Sequence, residues 1–492
     1  MGEIVDPQST CGPEGCEVPQ NDSSSQPNVR YDIAIIGSGS AAFATAISAT
    51  RSGGSVIMIE EGLVGGTCVN VGCVPSKALL AAAEARHVSS SSHFPGITSS
   101  PASVEMKELI QGKGEIVEKL RREKYEDLSG VYGFEIVHGR ARFVEEDLLE
   151  VDGRTMDADY YVIATGATTA VPPIHGISDV RYLTSTTAME LDHVPRHLVV
   201  IGGNAVGLEQ SLLFSRLGAK VTVIEAFDRI APFEEPEISA SIREIFEEEN
   251  ISVITGAKVD SVENKGLEIS VNVTSADGEL TIEADEILIA TGRRPNSFDL
   301  GLEKVGVKTG SKGEIVVNEE LRTDNGRIFA AGDVTGHPQF VYVAGVHGSI
   351  IVENSLRKGS RKVDYRTLPR IIFTTPQIAS VGLTEDQAKS QGFAVESRVL
   401  PLSAVPRAIV NRDTRGLVKM VAEVGSGRIL GISMIADGAA DSILAGVYAM
   451  EANFTVDQVA NIWTPYLVMA EAIKLTAQSF TRDVAELSCC AV

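Results

Sequence analysis

Residues 31–62 read "YDIAIIGSGSAAFATAISATRSGGSVIMIEEG": an apolar strand, a glycine-rich turn, a helix of small residues, then a second strand that ends at Glu60. Residues 197–226, "HLVVIGGNAVGLEQSLLFSRLGAKVTVIEA", repeat the plan. The interval from first glycine to strand-end acid is the same in both, Gly37 to Glu60 and Gly202 to Glu225. Strand, turn and helix in this order form the signature of a dinucleotide site. Small residues let the backbone approach a pyrophosphate, which meets the positive end of a helix, while the carboxylate accepts ribose hydroxyls. One match would be weak; two with equal spacing point to two dinucleotides. The second unit carries Asn204 at the middle glycine position, where asparagine's tolerance of positive φ keeps the turn plausible.

Two further strand-plus-glycine segments, "YYVIATGA" (160–167) and "EILIATGRRPN" (286–296), each close one unit, and "GRIFAAGDVTG" (326–336) returns to the first. One domain is therefore expected to be inserted into another. From about residue 370 the pattern changes to alternating strands such as "GLVKMVAEV" and "RILGISMIA", followed by helices, which predicts a third domain of α+β type. Residues 1–29 are rich in Pro, Ser, Gln and Asn without periodicity, and read as a flexible tail. The tail holds Cys11 and Cys16, either two idle thiols or a weak soft-metal site.

The whole chain is consistent with an enzyme. It has 492 residues, 43% hydrophobic and 22% charged, so several domains and sizeable cores are expected. A formal charge of −23 without a basic cluster argues against a nucleic-acid partner. No apolar run reaches membrane-spanning length, and the start "MGEIVDPQST" lacks secretory features. A reducing cytoplasm is the default, and there a close cysteine pair is catalytic or metal-binding more often than structural.

Such a pair is Cys68 and Cys73 in "GGTCVNVGCVPSK" (65–77). A structural zinc site would need two more Cys or His nearby, and the next, His87 and His93, lie well down or beyond the following helix. At the start of that helix a thiolate gains from the helix dipole.

Taken together, these residues resemble the flavin-dependent pyridine nucleotide disulfide oxidoreductases over essentially all of residues 30–492. The segment "CVNVGC" followed by "PSK" makes the match specific. The resemblance implies an α/β fold: two Rossmann-like dinucleotide-binding domains, for FAD and NAD(P), plus a C-terminal α+β dimerisation domain. Its segments would be a flavin domain at 30–178 and 299–368, a nucleotide domain at 179–298, and a dimerisation domain at 369–492. Cys68 would meet the substrate and Cys73 the flavin. FAD would lie around Gly37, Gly39, Ala42, Glu60, Gly62, Thr67, Ala141 of "GRARF", Asp333 of "AAGDV" and Val341. The second nucleotide would use Gly202, Gly207, Glu225 and Gly292. Lys77 and Glu209 match the ion pair beside the flavin's reactive nitrogen.

Members that reduce disulfides carry a His, then Pro, with a Glu five residues after the His, near the end of the chain. Here "WTPYLVMAEAIKL" (463–475) puts Tyr466 where that His belongs if Glu471 is the matching glutamate. A phenol with a pKa of about 10 is a poor proton shuttle at neutral pH. Adjacent Cys489 and Cys490 near the terminus suit capture of a soft cation. These features resemble the mercuric reductase branch of the family. That branch implies a homodimer in which Hg(II), delivered as thiol complexes, is taken by the terminal pair of the partner subunit and passed to Cys68 and Cys73. The electron donor would be NADPH, with NADH possible, because Glu225 would repel a 2′-phosphate that Arg229 could offset. Ala205 stands where many relatives carry a gating tyrosine. The rivals are disulfide reductases of the thioredoxin reductase or dihydrolipoamide dehydrogenase type, and a thiol protein that sequesters metal without turnover.

Overall fold

The structure, a computed structural model, describes residues 30–90, 94–100, 102–145 and 148–483. Cys11, Cys16, His93, Cys489 and Cys490 lie outside the described residues.

The first strand, β1 (Arg30–Ile36), runs parallel to β2 (Val56–Glu60) on one side and to the strand Arg154–Ile163 on the other. Its run of apolar residues from Ile33 to Ile36 is buried, as a central parallel strand covered on both faces requires. The chain leaves this sheet after Ile163 and rejoins it at Ile328–Ala330, which pairs in parallel with the strand Arg154–Ile163. Between these points stands a second parallel sheet, ordered Ile251–Ile254, Lys220–Ile224, His197–Ile201, Glu286–Ile289. The two repeats share one register: Ile36 faces Ile59 in the first sheet and Ile201 faces Ile224 in the second.

Helix α1 (Ser40–Arg51) packs against the helix Val341–Ser355 at short range. A Cβ on Gly348 would stand 2.7 Å from both Ala41 O and Thr45 N, so only glycine lets these backbones meet. The small residues of α1 thus serve helix packing as well as the turn.

Asn204 departs from the expectation of positive φ. Its φ is −110° with extended ψ, as at the equivalent Gly39 with φ −75°. The turn's left-handed position is the first glycine in each unit, Gly37 at +104° and Gly202 at +115°. The middle position needs room rather than special backbone freedom, and asparagine is accommodated.

The third unit is a five-stranded antiparallel sheet ordered Pro369–Ile372, Gln377–Gly382, Ile429–Ala436, Leu417–Glu423, Val395–Pro401, with the helices Ala439–Glu451 and Glu471–Gln478. Buried Lys419 bonds Glu235 (3.0 Å) and Glu237 (2.9 Å) of the second unit, and Arg370 bonds Glu234 (3.2 Å). Among the described residues no helix is long and apolar enough to cross a membrane.

Candidate active site

The redox segment folds directly onto the first glycine turn. Gly65 and Gly66 hold φ of +105° and +64°, and a Cβ on Gly66 would stand 2.6 Å from Gly39 Cα. The Gly65 amide also donates to Ser38 Oγ (3.1 Å). Helix α2 (Gly66–Asn70) carries Cys68, and Cys73 opens the 18-residue helix α3 (Cys73–Ser90). Both thiols are unbridged and partly buried.

Cys68 donates a hydrogen bond to Cys73, which holds the Cys73 thiol down at about 7, with the Lys77 charge adding to the effect against the cost of burial. The same bond holds the Cys68 proton in place and raises its pKa, with burial next in weight. The pair therefore contains one thiolate-prone sulfur and one proton donor.

Lys77, four residues after Cys73, lies 2.7 Å from Glu209 Oε2. The other Glu209 oxygen accepts the Phe373 amide at 2.9 Å, and the Lys77 ammonium sits 4.4 Å from the centroid of the Phe373 ring. All three structural units thus meet at one ion pair, its carboxylate buried and both Glu209 oxygens engaged.

Tyr125 is a neighbour that the sequence did not signal. It belongs to a π-helical turn, Arg122–Glu126, a distortion that re-aims side chains and is frequent at functional sites. Its ring stands edge-on to Phe43 (4.9 Å between centroids) and close to the Gly65 backbone. Burial raises its pKa, and the charges of Cys68 and Cys73 add to the rise. Tyr342 is similarly pushed up to about 12, by burial first and by the Cys73 charge in the same direction. Its hydroxyl donates to Pro369 O at 2.5 Å.

A dinucleotide cradle surrounds the segment. Gly37 could not carry a side chain, because a Cβ would lie 2.5 Å from Ala164 O. No side chain caps α1, so its first-turn amides are free of a side-chain acceptor, the arrangement that suits a pyrophosphate. Glu60 accepts the Gly62 amide and the Ser38 hydroxyl, each at 2.6 Å, and Ala42 is fully buried beneath the turn. Gly139 N donates to Glu60 O (3.0 Å), which brings the strand Ala141–Glu145 and buried Ala141 alongside.

Across the cradle, Asp333 has its pKa raised by burial, with Arg293 opposing. Arg293 Nε lies 3.5 Å from Asp333 Oδ2, buried and without a hydrogen-bond partner, while Nη2 reaches Thr67 Oγ1 (3.3 Å) and Ala167 O. A desolvated carboxylate and an orphaned buried donor fit a site shaped for a polar ligand. Val341, partly exposed, begins the helix Val341–Ser355.

The second turn is built in the same way. The helix Ala205–Leu217 begins uncapped by any side chain, and a Cβ on Gly207 would overlap the Gly202 carbonyl. Glu225 accepts the amides of Gly203 (2.6 Å) and Phe227 (2.9 Å). Arg229 Nη2 donates to Pro232 O at 3.1 Å, so that nitrogen is engaged with its own loop rather than with Glu225. Gly292, at φ +107°, borders open space. Tyr466 is half-exposed in a surface segment that also bares Trp463, and Glu471 accepts the Leu467 amide at 3.3 Å. Among the described residues no group of three or more His, Cys, Asp or Glu is placed to hold a metal ion.

Residues 31–348 match the family model described as pyridine nucleotide-disulphide oxidoreductase, and residues 368–477 match that family's dimerisation domain. The chain is 55% identical over 472 residues to a mercuric reductase of Streptomyces lividans, covering 95% of this chain and 99% of that one. It is 45% identical to a mercuric reductase of Staphylococcus aureus, covering 94% of this chain and 84% of the other. Among solved structures, the Cu(II) complex of the HOCl-induced flavoprotein disulfide reductase RclA from Escherichia coli matches with a TM-score of 0.82. The identity there is 30%, over 92% of this chain and all of that one.

Proposed function

The chain belongs to the pyridine nucleotide-disulphide oxidoreductases, dimeric enzymes dependent on FAD and NAD(P)H, and from that premise we propose that it is a mercury(II) reductase serving detoxification in the cytoplasm. The observation that carries the reading is the Cys68/Cys73 pair, two unbridged and partly buried thiols on α2 and at the start of α3, with the Lys77–Glu209 ion pair one turn further on. Relatives named mercuric reductase match nearly the whole chain, which supports the substrate assignment.

Residues of the first turn, with Glu60, Thr67, Asp333 and Arg293, would hold FAD, and the Gly202 turn with Glu225 would hold the nicotinamide nucleotide. Bound there, the flavin supplies the two-electron link between nucleotide and thiols. The chain's own part is ligand chemistry. Cys73, already thiolate-prone, and Cys68, after losing its proton, form the soft dithiolate that Hg(II) requires. The overall reaction balances as NADPH plus Hg(II) giving NADP⁺, one proton and Hg(0), with both thiols returned. Lys77 holds negative charge on Cys73, and Glu209 holds Lys77. Tyr125 and Tyr466 would border the pocket without taking up thiol protons.

Hg(II) would arrive as thiol complexes at Cys489 and Cys490 of the partner subunit and exchange onto Cys68 and Cys73. Glu225 would set negative charge against a 2′-phosphate and so favour NADH, while the resemblance to mercuric reductases slightly favours NADPH, so either nucleotide would serve. A panel of electron acceptors tests the assignment. Nucleotide oxidation should depend on Hg(II) in excess small thiol and be slow with glutathione disulfide, lipoamide or thioredoxin. The reverse ranking would make the chain a disulfide reductase, and bound Hg(II) without nucleotide oxidation would make it a sequestering protein.

A further inference from the structure

Asp333 lies in the turn Gly332–Thr335, which is held from behind by three side chains with no part in the thiol chemistry. The Gly332 amide donates to Nδ1 of His347 at 3.1 Å, and His347 is fully buried in the helix Val341–Ser355. A backbone amide can only donate, so Nδ1 is the bare nitrogen and the neutral ring carries its proton on Nε2. Nε2 stands 2.7 Å from Tyr365 Oη, which stands 2.5 Å from Nδ1 of His337. The order of donation is therefore fixed: Gly332 N–H to His347, His347 Nε2–H to Tyr365, Tyr365 O–H to His337.

Burial favours the uncharged form of each member. It lowers His347 to about 4 and His337 in the same direction, and raises Tyr365 to about 12. Neutral groups in series polarise one another, and a satisfied buried network rigidifies its surroundings. The series ends on an amide, which cannot take up a proton, so it orients rather than conducts. Each member comes from a different stretch: His347 from the helix, His337 from the segment between Asp333 and Val341, and Tyr365 from the link to the third unit.

We propose that His347, Tyr365 and His337 are positioning residues for the flavin: they clamp the Asp333 turn and the start of the Val341 helix to the link leading into the third unit. The proposal rests on the flavoenzyme reading given above. Loss of the clamp should loosen FAD while leaving the cysteine segment, which is anchored through Gly65 and Gly66, in place.

The test uses the full-length holoprotein, with FAD affinity read from flavin fluorescence on dilution and flavin potential read by dye equilibration. His347→Leu removes both bonds and should weaken FAD binding about tenfold, equivalent to about 1.4 kcal/mol, and shift the potential. His347→Asn keeps an acceptor for the Gly332 amide and should recover most of the affinity. Tyr365→Phe, which leaves the Gly332 bond intact and is expected to fold, should weaken binding about threefold, and it carries the test if His347→Leu does not fold. Unchanged FAD affinity and potential in Tyr365→Phe and His347→Leu would overturn the proposal. So would a lower unfolding temperature of the apoprotein with FAD affinity unaltered. A wild-type protein that binds no FAD would instead sink the flavoenzyme reading itself.

Discussion

Replacing Lys77 by methionine removes the cation that faces Cys73 and Glu209 while keeping the length of the side chain. Groups four residues apart on a helix stand roughly 6 Å apart, where a pair of charges interacts by about 3 kcal/mol at an effective dielectric constant near 20. Lys77 is about a third exposed, with 35% side-chain accessibility, so screening reduces this to about 1.4 kcal/mol, or about one unit in the Cys73 pKa. The sign follows from the charge: without the ammonium the thiolate is less stable, and the Cys73 pKa rises. Near neutral pH a smaller share of Cys73 would then be thiolate, and the difference would vanish at high pH, where both forms are fully ionised. The assay is the pH profile of alkylation of Cys73 in the reduced enzyme by iodoacetamide, with Cys68→Ala as the background so that one sulfur reports. The double variant removes the stronger hydrogen-bond effect as well, so both profiles start higher but keep the separation of about one unit. Glu209→Gln should move the profile the other way, because its charge opposes the thiolate. Coincident profiles with and without the Lys77→Met substitution would refute the electrostatic role assigned to the ion pair.

Three further outcomes are expected. Cys489→Ala with Cys490→Ala should slow turnover of thiol-bound Hg(II) and leave flavin reduction by nucleotide intact; stopped-flow absorbance separates the two, and loss of flavin reduction would contradict separate delivery and chemistry. Glu225→Ser should lower the KM for NADPH and raise that for NADH, shifting the ratio of kcat/KM about tenfold toward NADPH, consistent with relief of about 1.4 kcal/mol of repulsion. Gly348→Ala should destabilise the protein by about 2 kcal/mol and release FAD, because the new methyl meets the backbone of α1 at Ala41 and Thr45; a thermal melt matching wild type would show that the helices can separate without cost.

Much of the fold was legible because dinucleotide turns are local. Equal spacing from Gly37 to Glu60 and from Gly202 to Glu225 needs only a strand, a turn and a helix, all written within one short stretch. The family was legible for the same reason, since "CVNVGCVPSK" is contiguous. Reasoning from φ alone misjudged Asn204, because the middle turn position is extended in both units. What stayed hidden depends on contacts between distant segments. Tyr125 is one tyrosine of ten, and only the π-helical turn and the folding of α1 bring it to the cysteines. Arg293 gains meaning only when the chain returns with Asp333, and Phe373 only when the third unit docks on Glu209. The terminal cysteines, legible as a pair, lie outside the described residues.

The most direct measurement is anaerobic oxidation of NADPH and of NADH by the purified protein with Hg(II) in excess small thiol, with elemental mercury vapour trapped and counted. The account predicts one mercury atom released per nucleotide oxidised, with either nucleotide supporting the reaction. Nucleotide oxidation without vapour, or oxidation only with disulfide substrates, would contradict it.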